Sequence, residues 1–217
     1  ALPILYPILA LTVLMLGSCG NDDDGNNGEP PRDRAEEALA GQIEIENFLN
    51  THFYNYEDFA NPPADFDYKI VLDTIAGDNS NKTPLIDQVD FKTVQDRFDS
   101  DVTYKLYYLT ARQGSGESPA FPDIANATYE AYFTDRTLFD GSPTPVRFDL
   151  TAVINGFQDV LVEFNGAGTI IDNPDGSISY ENFGVGAAFI PSGLGYFNNP
   201  PWLLQYLYML NLFLRFN

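Results

Sequence analysis

The sequence predicts an α+β fold, an antiparallel sheet wrapped on one short helix, with an N-terminal helical extension in front of it. Three observations carry this. Past residue 100, runs rich in β-branched and aromatic residues recur, such as VTYKLYYL from Val102 to Leu109. One helical repeat interrupts them, with Phe157, Val160, Leu161 and Phe164 three or four apart. The strands are separated by turn formers without the regular strand–helix alternation of a parallel sheet. With 44% hydrophobic residues in 217, the chain has ample material for a core.

In order along the chain, Asp33 to Phe53 reads as a helix. Ala35, Leu39, Ile43, Phe48 and Leu49 fall near one face, Asp33 stands as the cap, and Glu36 follows three residues on. Asn61-Pro62-Pro63 ends that pattern. Phe66 to Asp73 (FDYKIVLD) reads as a strand followed by a Gly77–Asn81 turn, and 83–98 as a loop with a short strand. Val102 to Leu109, Thr128 to Phe133 and Val146 to Leu150 are strands, with Thr137 to Phe139 extending the second. Asn155 to Phe164 is the helix. Thr169 to Ile171 and Ser177 to Tyr180 flank an Asn173-Pro174-Asp175-Gly176 turn as a hairpin, and Gly184 to Pro191 is the next strand. Residues 200–217 (PPWLLQYLYMLNLFLRFN) are apolar with neither a helical nor a strand period. Two readings of them stay open: a changed coding frame or a divergent final strand.

Composition removes many functions. Eleven Lys and Arg against 31 Asp and Glu give a net charge of −20 and a pI near 4.1, so no basic stripe can track nucleic acid. One Cys leaves no intramolecular disulfide and no Cys-rich zinc site, one His disfavours a Ser-His-Asp enzyme or a multi-His metal site, and no cofactor is expected. There is no P-loop, and Gly184-x-Gly186 is only a fragment of a dinucleotide fingerprint. His52 is expected to be structural. Acid pairs such as Asp65/Asp67 and Asp99/Asp101 are expected by chance among so many carboxylates.

The front of the chain carries a separate signal. Leu2 to Leu16 is an apolar run short for a membrane span and suited to a signal peptide over 1–18. Leu16-Gly17-Ser18-Cys19 resembles a bacterial lipobox, which implies cleavage before Cys19 and lipidation of its thiol. A buried core Cys or a short membrane helix is the alternative, although Pro3 and Pro7 disfavour a helix. Residues 19–32 contain Asp22-Asp23-Asp24 and no apolar run, so they read as a solvated tether. An acidic stretch after such a Cys resembles the surface-export signal of Bacteroidota lipoproteins; simple repulsion from an anionic membrane explains it equally. The expected location is a lipid anchor at the bacterial outer membrane, on its periplasmic or its surface side.

Within 99–217, four segments in order resemble FKBP-type peptidyl-prolyl isomerases. Tyr129 is followed ten residues later by Phe139-Asp140. Phe148-Asp149-Leu150 leads into Val153-Ile154-Asn155-Gly156-Phe157. Ile190-Pro191-Ser192-Gly193-Leu194-Gly195-Tyr196 comes later, and Arg112–Gly116 with Pro122-Asp123 match the start of the family's domain. The resemblance implies an apolar pocket between sheet and helix. Tyr129, Phe139, Ile154, Phe157 and Tyr196 would be its catalytic lining with Asp140 at the rim, and Phe148 and Val153 would bind substrate. It also implies proline-containing polypeptide clients, an isomerase that assists folding of exported proteins, and no metal. The alternative is a binding module or chaperone that has lost catalysis, and any aromatic-rich α+β core needs residues of these types. Three departures stand out: Phe157 replaces the family's Trp, Phe197 follows Tyr196 where Gly is usual, and the family's closing strand has no recognisable counterpart. Residues 33–98 have no role in the resemblance.

Overall fold

The computed structural model describes residues 33–195 and the backbone of a strand at 210–216. α1 (Arg34–Thr51) starts where expected: the Asp33 carboxylate accepts from the N–H groups of Ala35 and Glu36. Its buried stripe is Ala38, Gly41, Ile45, Phe48 and Leu49, not the expected one. Leu39 is 62% and Ile43 51% exposed, and Ala35 is exposed too. Phe48 and Leu49 are the bulkiest adjacent pair on the helix. Steps of three or four back from them reach Ile45, Gly41 and Ala38, which leaves Ile43 and Leu39 on the far side.

After α1 come β1 (His52–Tyr54), α2 (Tyr56–Ala60), β2 (Leu72–Thr74) and β3 (Asp90–Gln95). β1 and β2 pair antiparallel, with His52 opposite Thr74. The helix therefore stops two residues earlier than the sequence suggests. The strand expected from Phe66 shrinks to 72–74 because Tyr68 adopts a left-handed φ of 58°, which breaks the extended run. Next are β4 (Thr103–Arg112), β5 (Ile124–Tyr132), β6 (Leu138–Asp149), α3 (Asn155–Leu161), the hairpin β7 (Thr169–Asp172) and β8 (Ile178–Glu181), β9 (Gly184–Ile190) and β10 (Leu210–Phe216). Thr137–Phe139 and Val146–Leu150 thus belong to one long strand. Gly176, at φ 83°, supplies the turn of the β7–β8 hairpin.

Six strands form one antiparallel sheet in the order β3-β4-β9-β10-β5-β6. Two expectations change here. β3 lies in the segment 33–98 yet is the edge strand beside β4, so the sheet draws on both sides of residue 98. The closing strand without a recognisable counterpart is β10, in line with the reading of 200–217 as a divergent final strand; it fits between β9 and β5 and pairs Leu212 with Ala188 on one side and Ala131 on the other. β10 alternates over most of its length, Leu210, Leu212, Leu214 and Phe216 against Asn211 and Arg215, and the largely apolar residues just before it hide that period in the sequence.

Both faces are covered. On one, Phe157, Val160 and Leu161 of α3 pack with Tyr104, Leu106, Ala127, Ala131, Ala188 and Ile190. On the other, Ile45, Phe48 and Leu49 of α1 pack with Tyr107, Leu109, Val185, Ala187 and Phe189. Successive residues of β4 and β9 alternate between the two cores, and every residue of β9 is buried. Gly156 lets α3 come close to the sheet: a Cβ there would meet the Ile190 side chain and stand 3.0 Å from Leu194 Cβ.

The N-terminus of α1 is clasped by Asp96, 5% exposed. Its carboxylate accepts from Arg34, Tyr104 Oη and the N–H groups of Phe98 and Asp99, at 2.7–3.0 Å. Burial pushes this acid up, but the hydrogen bonds and the Arg34 charge outweigh burial and hold it below the ordinary Asp value. Its stabilisation is therefore present above the unfolded-state pKa and is lost as pH falls through the lower folded value. Asp96→Ala should cost about 2–4 kcal/mol by stranding buried donors, read as a fall in Tm of roughly 5–15 °C; an unchanged Tm would remove the clasp from the account. Gly156→Ala should also destabilise, by about 1–3 kcal/mol, in the same thermal melts.

Candidate functional site

The residues singled out in the sequence fall into three groups. Tyr129, Asp140, Phe148, Val153, Ile154 and Phe157 come together. Phe139 stands apart from them. Tyr196 and Cys19 lie outside the described residues, as do Phe197, the signal segment and the tether.

The assembled group is built from three elements. β5 presents Tyr129 on the α3 face of the sheet, between Ala127 and Ala131, whose small side chains leave room for a ring. β6, antiparallel to it, brings Asp140 within reach, and Tyr129 Oη donates to Asp140 Oδ2 at 2.8 Å. Phe148, further along β6, meets the Tyr129 ring edge-on at 5.3 Å and the Phe157 ring edge-on at 4.8 Å. Phe157 is the floor: it lies in the first turns of α3 and is 5% exposed. Val153 and Ile154, the residues leading into α3, are half-buried against the same core. Three rings in an edge-to-face chain, two aliphatic residues and one hydrogen-bonded carboxylate make an apolar wall with a polar rim.

Phe139 departs from the expected arrangement. It is 40% exposed and stacks on Phe133 with ring centroids 4.6 Å apart. The reason is local backbone geometry: Ala131 pairs with Asp140 and Tyr132 with Leu138, so Phe139 is the extra residue of a bulge in β6, and regular alternation does not set its direction. Phe133, which gives Phe139 its partner, was not singled out in the sequence. It follows the alternation of β5 into a turn, where apolar periodicity carries no information about partners.

Within the assembled group, Tyr129 carries a raised pKa, as Tyr107 and Tyr132 do elsewhere on the sheet. Burial first, then the hydrogen bond and negative charge of Asp140, push its phenol up to about 12. The phenol is thus a donor throughout the neutral range. No nucleophile or base is set up by these contacts, and the group can seat an apolar ring and offer polar contacts at its edge. Among the described residues, no group of three His, Cys, Asp or Glu stands close enough to hold a metal ion. His52 stacks on Phe48 at 3.9 Å with Nδ1 3.0 Å from the Phe48 carbonyl oxygen. Asp67 and Asp99 accept from backbone N–H groups of Lys69 and Asp101 in turns.

A cleft of about 260 Å³ lies elsewhere, on the α1 side of β5 and β6. Lys69, Ile70, Thr128, Glu130, Ser142 and Val185 line it, and Tyr129 is the one member of the aromatic group that reaches it. Its lining mixes charges of both signs with two buried aliphatic residues.

No family model matches the sequence, and no curated protein matches it. Solved structures do. A peptidyl-prolyl cis-trans isomerase from Pseudomonas syringae pv. tomato DC3000 aligns with 87% of this chain and 96% of its own, at 14% identity and a TM-score of 0.44. FkpA from Escherichia coli aligns over 83% of this chain and 60% of its own, at 18% identity and a TM-score of 0.41. The three FKBP domains of wheat FKBP73 align over 58% and 49%, at 12% identity and a TM-score of 0.38.

Replacing Asp140 with Asn should lower the titration midpoint of Tyr129 from about 12 while leaving it above the ordinary Tyr value, since burial remains. A ¹³Cζ tyrosine NMR titration, assigned with Tyr129→Phe, measures this; a midpoint that does not move would place the carboxylate outside the site.

Proposed function

We propose that the chain is an FKBP-type peptidyl-prolyl cis-trans isomerase, anchored to a bacterial outer membrane through a lipid on Cys19, which assists folding of exported proteins. The observation that supports it best is the convergence of Tyr129, Asp140, Phe148, Val153, Ile154 and Phe157, drawn from two strands and a helix start, on one side of the sheet. The order of these residues in the sequence is the order of the family's pocket, and their contacts suit the chemistry.

Turning an X-Pro amide requires breaking its resonance against a barrier of ~18–20 kcal/mol. Left alone, the bond turns over in roughly tens to hundreds of seconds. An apolar wall holds the prolyl ring and strips water from the carbonyl, whose planar, charge-separated form water favours. Contacts better made to the twisted amide than to either planar form then lower the barrier, and a thousandfold gain needs about 4 kcal/mol. In this reading Phe148, Phe157, Val153 and Ile154 seat the ring, and the Tyr129–Asp140 pair fixes the rim. Tyr196 donates to a substrate carbonyl, and Phe139 joins the lining once client is bound. The acidic surface suits clients that carry basic residues. Among the described residues no helix is long and apolar enough to cross a membrane, and the anchor in this proposal is the acyl chain.

A second reading has a specific observation behind it. Phe139 is turned to Phe133, and the floor is Phe157 in place of an indole, so two of the aromatic walls differ from a catalytic lining. The same wall would then bind proline-containing segments without turning them.

Residues 20–217, assayed on a peptide with a single X-Pro bond, should accelerate isomerisation in proportion to protein concentration. Phe148→Ala should cut kcat/KM by about tenfold or more, consistent with loss of one well-packed ring contact. Isomerisation equal to buffer alone, with the peptide still bound, would select the binding module. Phe157→Trp should raise turnover, and a fall in both turnover and Tm would mean that the floor has no room for the larger ring.

A further inference from the structure

The segment ahead of the sheet does more than cover it. Tyr129 and Glu130 are neighbours on β5 and project to opposite faces. Tyr129 joins the aromatic wall on the α3 side. Glu130, on the α1 side, accepts from Lys69 Nζ at 2.7 Å and from Tyr132 Oη at 2.6 Å. Lys69 is next to Ile70, which is 3% exposed and anchored in the α1-side core. The turn after β5 is held as well: Arg136 donates to Thr74 Oγ1 at 3.0 Å, and Thr134 hydrogen-bonds the Glu44 carboxylate of α1. All three contacts run from the segment 33–74 to one hairpin, β5–β6. That hairpin carries Tyr129, Phe139, Asp140 and Phe148. It is also an edge of the sheet, with β6 bordered on one side only.

We propose that residues 33–74 are a brace that sets the geometry of the isomerase wall through the β5–β6 hairpin, with Lys69 on the brace and Arg136 on the hairpin turn as the positioning residues. The proposal rests on the isomerase reading for its effect on turnover, but not for its effect on the wall. Between brace and hairpin lies the 260 Å³ cleft, lined by Lys69, Ile70, Thr128, Glu130 and Ser142. The hairpin is therefore not packed solid against the segment at that level, and the Lys69–Glu130 pair spans an open space. An exposed ion pair contributes little to global stability, about 0.2–1 kcal/mol. Where it is the tie across a gap, the same pair decides where the strand sits. A one-residue lever then follows from the pleat: a shift of β5 that moves Glu130 moves Tyr129 by the same amount on the other face.

The test is the full chain carrying Lys69→Gln and Arg136→Gln together, compared with wild type and with Lys69→Arg. At pH 7 the ¹³Cζ resonance of Tyr129 reports its hydrogen bond to Asp140. It should shift in the double variant and stay at its wild-type position in Lys69→Arg, which keeps a positive charge facing Glu130. In the peptide assay KM should rise about three- to tenfold with kcat within about twofold, because seating of the ring is lost before the twisting step is touched. A Tyr129 resonance that stays put while Tm falls would reduce the contacts to ordinary stabilisation and overturn the brace. If wild type shows no isomerisation at all, the functional reading fails, and the Tyr129 resonance alone still decides whether the brace exists.

Discussion

The structure depends on one constraint: its central strands are apolar on both faces, so both faces must be covered. β9 has no exposed residue, and β4 sends Tyr104 and Leu106 to one core and Tyr107 and Leu109 to the other. One short helix cannot shield two faces. α3 takes the first, and the second would face water without α1, whose Ile45, Phe48 and Leu49 close it. The N-terminal segment is therefore part of the folding unit and not an appendage.

That constraint also organises the site. Because α3 must approach closely, Gly156 stands at its start, and the approach puts Phe157 under the rings of β5 and β6. Because β5 is covered behind as well as in front, Glu130 meets Lys69 on one face while Tyr129, its neighbour, meets Asp140 on the other. The aromatic group thus grows out of core packing and keeps one polar rim, the Tyr129–Asp140 pair.

The extent to which the sequence revealed this varied with the physics involved. Strand and helix identities past residue 100 were legible because alternation and the 3–4 spacing at Phe157–Phe164 report burial directly. Asp33 as a cap was legible because capping is local. The buried stripe of α1 was not, since Leu39 and Ile43 fit a helical stripe as well as Ala38 and Ile45 do, and only the sheet beneath chooses. Tyr68 broke the expected strand through its backbone angle, which side-chain patterns do not encode. In the candidate site, the order of motifs singled out Tyr129, Asp140, Phe148 and Phe157, which the structure brings together. Phe139 stands apart at a bulge in β6, which a linear motif does not encode. β10 was opaque because its short alternation, Leu210, Leu212 and Leu214 against Asn211 and Arg215, directly follows a largely apolar stretch that has no period.

Strand order has a temporal consequence. β10 is the last described strand along the chain, yet it lies between β9 and β5, with three strands on one side of it and two on the other. Until residues 210–216 are available, the β5–β6 hairpin has no backbone ladder joining it to the other strands, and the two halves of the sheet wait as separate pieces with open edges. A polypeptide emerging from a ribosome would therefore hold off the final closure of this sheet until synthesis had passed residue 216.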